Sequence, residues 1–458
     1  MRIIFALLVL SKLCQADTSS AVPSPDRQSY TREGFLRAEP GGLVDVAVTE
    51  DNLLSKKLFK GSSHIPTGRD LDSRTLPIKL INNFKHNDIQ VYITGLDSSS
   101  RVFFALENGK LLYPDAAASR IPVKIKQNIA ITLPSEGEPL HFVLPSFIRS
   151  GRIYFSDNDL QFFVVDLGDG NSLVQPSVTN MRDPNANVNW GFVELTYIKN
   201  RLYANISYVD FVGIVLGMKL ATRDGQAQTA AGLQPDAVEQ ICSDLVNQTV
   251  TDSYEWTSLC ITDTTSKPIR VLSPGNRNDM NPKMIGSYWK AYVNKVWERY
   301  TSRDLMIDTQ TQAGIVRCRV TDHKLKCDKC ERVFSKPADK DIWGCNSGPF
   351  AISKNASAPC VAIVPRLCAG LVRSTLLLDD GFMQPSLSLG PASYYTVDPT
   401  NHYSRIVHSY EADGKGYAFP YDDVNPDNED DASGAVSSNN VDLLTVHVGG
   451  QLPSYLAR

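Results

Sequence analysis

A chain of 458 residues with 42% hydrophobic and 21% charged residues is typical of a globular protein with length for two domains. Its formal net charge of −4 and the lack of any basic block exclude nucleic acid as an expected partner. The seven histidines are scattered without ligand spacing, and Gly168-Asp169-Gly170 lacks the third glycine of a dinucleotide fingerprint, so we expect no metal and no cofactor.

The N-terminus has the pattern of a secretory leader. A basic start, an apolar run over residues 3–10 and a small residue at Ala16 predict a signal peptide over residues 1–16. We therefore expect a secreted protein, extracellular or in a cell wall. Residues 17–74 mix Ser, Pro, Gly and charge without sustained periodicity, which indicates a flexible lead-in or pro-segment outside the core.

The cysteines agree with secretion. Of the nine cysteines, only Cys14 lies in the leader, and the remaining eight form an even set that suits disulfides. Cys327-Asp328-Lys329-Cys330 leaves two alternatives open, a zinc or redox pair and ordinary disulfides. No second properly spaced pair accompanies it, which favours disulfides.

No membrane span is expected after the leader. The most apolar stretch, residues 360–378, is interrupted by Pro365, Arg366 and Arg373. We expect a soluble monomer without membrane contacts.

Short β-rich runs separated by turn residues begin at Leu76. They cover residues 78–81, 90–93, 102–106, 123–125, 129–131, 141–144, 152–156 and 160–165. Such regular spacing predicts a sandwich or barrel, whose first part we assign to residues 75–223.

A mixed α/β insertion is predicted over residues 224–348. Helical spacing occurs over residues 235–246 and 288–299 within it. Residues 349–455 then complete the β domain, with one helix over residues 403–408 and a last strand over residues 441–448.

Two acids lie in strand-like, aromatic-rich sequence. Glu194 belongs to the run Trp190–Tyr197, and Asp210 belongs to the run Leu202–Gly213. A carboxylate on a buried sheet face costs several kcal/mol unless it is paired or used in chemistry. An outward-facing or structurally satisfied acid remains the alternative for either residue alone, but two acids in this setting favour a site.

Hairpin geometry decides whether these acids meet. An odd-numbered turn between Ile198 and Leu202 puts Glu194 and Asp210 on one face, with Glu194 opposite Ile206, and an even-numbered turn separates them. On the odd register the two residues lie roughly 13 Å apart along the strands. If both side chains lean toward each other, the distance between their carboxyl groups approaches the roughly 6.5–9.5 Å found in inverting glycosidases. The roughly 5 Å separation that retaining enzymes need is too short for this arrangement.

The rings of Trp190, Tyr197, Tyr203 and Tyr208 offer a surface for sugar stacking, although rings at strand positions are more often core. Asn205 begins one of three glycosylation sequons, with Asn247 and Asn355. A glycan on Asn205 would lie inside the suspected site.

Four longer runs carry a resemblance to a known family: Trp190–Tyr197, Leu202–Gly213, Ile342–Phe350 and Tyr417–Val424. In their order they resemble the glycoside hydrolase family 64 β-1,3-glucanases, and the similarity extends from about residue 76 to 450. The resemblance implies endo-acting, inverting hydrolysis of β-1,3-glucan, with Glu194 as general acid and Asp210 as general base.

The resemblance also implies a mainly β fold with an α/β part, in which a thaumatin-like β-barrel or sandwich domain and a mixed α/β domain border a wide groove. The predicted substrate-binding residues are Trp190, Thr196, Tyr203, Tyr208, Tyr421 and Asp422. For the last two, a structural role is equally open. We expect the aromatic surroundings of Glu194 to raise its pKa, while Asp210 stays ionised.

Two other functions remain open. A non-catalytic thaumatin-like β-glucan-binding protein is one, although retention of both acids argues against it. A structural or host-interaction protein of the cell surface is the other, supported only by the lead-in segment.

Overall fold

The computed structural model describes residues 28–55, 75–84, 89–282, 286–427 and 433–450. The predicted signal peptide and Cys14 lie outside these ranges. Among the helices of the described ranges, none has the length and apolarity to cross a bilayer.

The strands are short and numerous. In chain order they are β1 (Leu36–Arg37), β2 (Leu53–Leu54), β3 (Leu76–Asn82), β4 (Gln90–Leu96), β5 (Val102–Ala105), β6 (Leu111–Leu112), β7 (Val123–Lys124), β8 (Ile131–Thr132), β9 (Pro139–Leu144), β10 (Ile148–Ser156), β11 (Phe163–Asp166), β12 (Asn171–Val174), β13 (Trp190–Ile198), β14 (Arg201–Ile206), β15 (Phe211–Val212), β16 (Leu216–Thr222), β17 (Ala227–Ala230), β18 (Cys260–Thr262), β19 (Pro268–Leu272), β20 (Leu305–Asp308), β21 (Ile315–Thr321), β22 (Lys324–Cys327), β23 (Val333–Phe334), β24 (Met383–Gln384), β25 (Ala435–Ser438) and β26 (Val441–Val448).

The α-helices are α1 (Ala237–Asp252), α2 (Pro274–Met280), α3 (Lys290–Ser302), α4 (Asp339–Gly344), α5 (Ala358–Val372) and α6 (His402–Ser409). Each β-rich run predicted between residues 78 and 165 overlaps a strand, and the predicted last strand is β26. The three predicted helices are α1, α3 and α6. These elements are confirmed.

The chain divides into two compact units. The β-rich unit contains the described parts of residues 28–273, 406–418 and 433–458, and the helical unit contains those of residues 274–405 and 419–432. These boundaries differ from the predicted insertion, because α1, β18 and β19 belong to the β-rich unit. The β18–β19 hairpin pairs with β1 and β15, and a disulfide joins Cys242 of α1 to Cys260.

The β-rich unit is built from four sheets. They run β1-β18-β19-β15, β25-β14-β13-β10-β4-β5-β6 with β8 beside β4, β2-β12-β11-β7, and β17-β16-β26-β3-β9. None of these sheets closes on itself within the described part of the chain, so the mainly β class is confirmed and the barrel alternative of the predicted sandwich or barrel is wrong. Alternating burial along β3 gives its sheet one apolar face.

The segment of residues 28–55 differs from the predicted lead-in. Its strand β1 pairs in parallel with β18 and buries Leu36 completely, and its strand β2 pairs with β12. Between them, Asp45 forms an ion pair with Arg182, with 2.7 Å between the charged atoms. Strands of two residues show no periodicity in a sequence, which is why the pattern did not reveal them.

The helical unit has one five-stranded sheet, in the order β23-β22-β21-β20-β24. Three disulfides lie within it, between Cys318 and Cys327, between Cys330 and Cys360, and between Cys345 and Cys368. Because Cys327 and Cys330 have different partners, the prediction of disulfides over a zinc or redox pair is confirmed.

Candidate active site

Glu194 lies in the centre of the largest sheet. Its strand β13 runs between β10 and β14, where Arg152 and Asn205 are the residues directly opposite Glu194. Directly opposite residues of an antiparallel sheet share a face, so the three side chains form a polar row. Asn205 is only 7% exposed, which leaves no room for a glycan at this sequon.

The register between β13 and β14 decides between the two turn lengths left open by the sequence. Ile198 pairs with Arg201 across the two-residue turn Lys199–Asn200, whose φ angles of 51° and 60° are typical of a type I′ turn. Glu194 therefore lies opposite Asn205, which corresponds to the even-numbered turn of the two alternatives. Had β14 continued straight, Asp210 would lie on the other face of the sheet.

Asp210 does not lie on β14, which ends at Ile206. The chain leaves the sheet there, and β15 joins β19 of another sheet, where the N–H of Ser273 donates to the carbonyl of Asp210 at 2.9 Å. Gly213 then packs on the start of β13, because a Cβ at this position would lie 2.0 Å from the carbonyl oxygen of Trp190. This fold-back returns the Asp210 segment to the strand that carries Glu194.

Arg152 links the charges of the site. Its Nε and a terminal nitrogen lie 3.2 and 3.0 Å from Oε1 of Glu194, and its guanidinium lies 4.2 Å from the centre of the Phe192 ring. The aromatic environment predicted for Glu194 is therefore incomplete, since a cation contacts the carboxylate. The guanidinium also interacts electrostatically with Asp210.

Asp210 titrates well above an ordinary aspartate. Desolvation by the surrounding protein atoms raises its pKa to about 6, although the residue keeps surface exposed to solvent. Arg152 opposes this rise, while the negative charges of Glu194 and Asp51 add to it. The expected ionised state of Asp210 therefore requires a pH above about 6.

Two of the predicted substrate-binding residues have side chains at the surface beside Glu194. Thr196 and Tyr203 are directly opposite each other on β13 and β14, and Tyr203 is 37% exposed. Both lie on the face of Glu194, since Thr196 is two residues further along β13.

Trp190 and Tyr208 are core residues. They are 2% and 5% exposed, and the ring of Trp190 packs at 4.8 Å from that of Phe211. Neither ring has the exposed surface that sugar stacking needs, so their predicted contact with substrate is corrected to a packing role.

Tyr421 and Asp422 belong to the helical unit. Asp422 is 1% exposed and forms an ion pair with Arg373 at 3.0 Å, which assigns it the structural role. Tyr421 is half-buried, and burial raises its pKa to about 12.

Sequence reasoning missed Arg152, Asp51 and Gln175. Arg152 lies within a run that was predicted as a strand. Its spacing of two residues from Tyr154 indicated that both side chains lie on the same face of the sheet, but nothing indicated which other residues lie there. Asp51 and Gln175 lie next to short strands and carried no signal.

A family model described as β-1,3-glucanase, glycoside hydrolase family 64, matches residues 74–448. The chain belongs to this family. A curated relative, the glucan endo-1,3-β-glucosidase of Cellulosimicrobium cellulans, is 30% identical over 281 residues, which are 60% of this chain and 48% of the relative. A protein of the same name from Arthrobacter sp. (strain YCWD3) gives the same values. The chain thus spans about half the length of the curated relatives it matches.

Solved family 64 structures resemble this fold. A laminaripentaose-producing β-1,3-glucanase in complex with laminaritetraose has a TM-score of 0.71 at 26% identity, over 82% of this chain and 98% of the other. A family 64 domain from Clostridium beijerinckii has a TM-score of 0.63 at 18% identity, over 83% and 100%. The thaumatin-like relation and the groove that the resemblance implied stay predictions.

Proposed function

We propose that this chain is a secreted endo-β-1,3-glucanase that hydrolyses β-1,3-glucan with inversion at the anomeric carbon. One observation carries the proposal: Arg152 binds Glu194 on β13, and the fold-back at Gly213 brings the segment of Asp210 onto that same strand, so that the charges of both acids act on Arg152. Two carboxylates placed around one sugar bond are what glycosidases use. Relatives named glucan endo-1,3-β-glucosidase support the substrate, and the four disulfides support secretion.

Glu194 acts as the general acid. Both hydrogen bonds from Arg152 end on its Oε1, so Oε2 remains available to carry the proton. In the reaction, this proton passes to the glycosidic oxygen as the bond from that oxygen to the anomeric carbon breaks. The leaving sugar departs as a neutral alcohol.

Asp210 acts as the general base. A carboxylate with a pKa of about 6 accepts a proton more readily than an ordinary aspartate and is still ionised above that pH. It removes a proton from a water molecule, whose oxygen attacks the anomeric carbon on the side opposite to the leaving oxygen. A single displacement of this kind converts a β-linkage into an α-anomer product.

Thr196 and Tyr203 contact the sugar. Their position beside Glu194 allows the threonine hydroxyl to bond a sugar hydroxyl and the half-exposed tyrosine ring to cover an apolar sugar face. Trp190 supports this surface from the core.

The test compares wild type, Glu194→Gln and Asp210→Asn on linear β-1,3-glucan, with NMR following the anomer that forms first. Matched controls are Glu239→Gln on α1 and Asp442→Asn on β26, which remove exposed acids elsewhere in the β-rich unit. We expect the α-anomer from wild type and both controls, and loss of product with retained glucan binding in the two site variants.

Other outcomes are equally informative. A β-anomer product would keep the activity and overturn the inverting mechanism. Glucan binding without product from folded wild type would favour the alternative, a non-catalytic β-glucan-binding protein.

A further inference from the structure

Arg152, which contacts Glu194, is itself held by two buried polar side chains, those of Tyr154 and Gln175. One terminal nitrogen of Arg152 lies 3.4 Å from the hydroxyl of Tyr154 and 3.5 Å from Oε1 of Gln175. The Tyr154 hydroxyl donates to the same oxygen of Gln175. Tyr154 is fully buried and Gln175 is 6% exposed, so solvent cannot replace these contacts.

Gln175 is fixed in turn by the N-terminal segment, residues 28–55. It directly follows β12, which pairs with β2 of that segment, and its backbone N–H donates to the carbonyl of Asn52 at 2.8 Å. Asn52 is 3% exposed. Its side-chain N–H donates to the carbonyl of Ala47, and its side-chain oxygen accepts from the N–H of Thr49, each at 2.9 Å. These two bonds fix the loop that precedes Asn52.

This segment lies before the family match, which begins at residue 74. It is nevertheless attached to the β-rich unit at several points along its length. The N–H of Glu39 donates to the carbonyl of Met181 at 2.9 Å, and Asn180 donates to the carbonyl of Asp45 at 2.7 Å. Together with β1 and β2, these bonds give the Asn52 carbonyl a fixed position.

We propose that the N-terminal segment positions the catalytic acid through a relay of hydrogen bonds, in which Asn52 fixes Gln175, Gln175 and Tyr154 fix Arg152, and Arg152 turns Oε2 of Glu194 toward the leaving oxygen. We call these four residues, Asn52, Gln175, Tyr154 and Arg152, the Gln175 relay. The inference rests on the proposed function and adds positioning residues to it.

We expect the Gln175 relay to orient Glu194 more than it stabilises the fold. A hydrogen-bonded buried amide adds little net stability, because folding exchanges its bonds to water for bonds to protein, and an apolar side chain of similar volume would pack as well. An acid displaced by about 1 Å, in contrast, costs on the order of 100-fold in rate.

The first experiment separates kcat from KM on linear β-1,3-glucan. Gln175→Leu keeps the volume and removes the acceptor, and Tyr154→Phe removes the hydroxyl. We expect kcat to fall about 10- to 100-fold in both, with KM within about twofold. Gln248→Leu on α1 is the matched control, because Gln248 is also buried, at 8% exposed, and donates to Asp252.

A second substrate shows whether the variants are impaired in proton donation to the leaving group. A dinitrophenyl laminari-oligosaccharide has a leaving group that departs without a proton. If the relay positions the acid, Gln175→Leu should approach the wild-type rate on this substrate. Equal losses on both substrates would overturn the proposal.

A readout without turnover keeps this test apart from the test of the proposed function. The Nε–H proton of Arg152 should give a protected proton–nitrogen NMR signal in wild type and in Gln248→Leu, and lose protection in Gln175→Leu and Tyr154→Phe. If wild type does not hydrolyse glucan, the proposed function fails, while this signal still decides whether the relay fixes Arg152. An unchanged signal in Tyr154→Phe and Gln175→Leu would refute the relay.

Discussion

Arg152 makes both of its hydrogen bonds to Glu194 on the same carboxylate oxygen. The planar guanidinium presents two N–H groups as a fork that lysine does not have. We therefore expect Arg152→Lys to keep the charge but to lower kcat/KM on β-1,3-glucan about 10- to 100-fold. Arg201→Lys, at an exposed position at the start of β14, is the control and should match wild type. Full activity of Arg152→Lys would mean that charge alone is enough.

The pH dependence should follow Asp210. Because the proposed base must be ionised, kcat/KM should fall below pH about 6. Asp51 raises the pKa of Asp210 by charge repulsion, so Asp51→Asn should move the acidic limb of the pH profile to lower pH. Glu50→Gln removes the same charge one residue away and should leave the limb in place. The pH profiles of the three proteins decide the point, and identical shifts in both variants would argue for net charge alone.

Asp210 should also reduce stability above its pKa. Its pKa is raised from 3.8 in the unfolded reference to about 6 in the folded protein, so the folded state binds the proton more tightly. The cost is absent below pH about 4, grows as pH rises and is complete above pH about 6. Because the residue is solvent-exposed, we discount the cost to at most about 1 kcal/mol. Asp210→Asn should thus unfold at a higher temperature than wild type at pH 7 and at an equal temperature at pH 3.5, and thermal melts at both pH values test this.

Gly213 should tolerate no side chain. A Cβ there would overlap the carbonyl of Trp190, and backbone atoms cannot move aside cheaply. Gly213→Ala should lower the free energy of unfolding by about 2 kcal/mol or more and impair catalysis by shifting Asp210. Gly42→Ala meets nothing within 4 Å and serves as the control. Denaturant unfolding curves measure both changes, and a Gly213→Ala protein as stable as Gly42→Ala would contradict the fold-back.

Local pattern was sufficient for many elements, and it also selected the two acids that we propose as catalytic. Alternation of apolar residues predicted strands such as β3, because one face of each sheet is buried. Glu194 and Asp210 were recognisable because carboxylates among strand-forming and aromatic residues need a reason. Both arguments use only neighbours in the chain.

The surroundings of the acids were not predictable in this way. Turn length set the register, and Lys199–Asn200 gave no strong signal for a two-residue turn, since Gly is the usual second residue. Arg152, Gln175 and Asp51 reach the site through contacts between residues distant in sequence. The charge balance of the site, and hence the pKa of Asp210, depends on those contacts.

The sequon at Asn205 sets up a competition in any host that glycosylates secreted chains. Oligosaccharide is transferred to exposed asparagines of chains that have not yet folded, whereas folding places Asn205 in the sheet opposite Glu194. A molecule modified there could not accommodate the sugar beside β13 and would be lost to quality control. The yield of active protein then depends on how fast β14 docks relative to the transferase, and a host without that transferase avoids the loss.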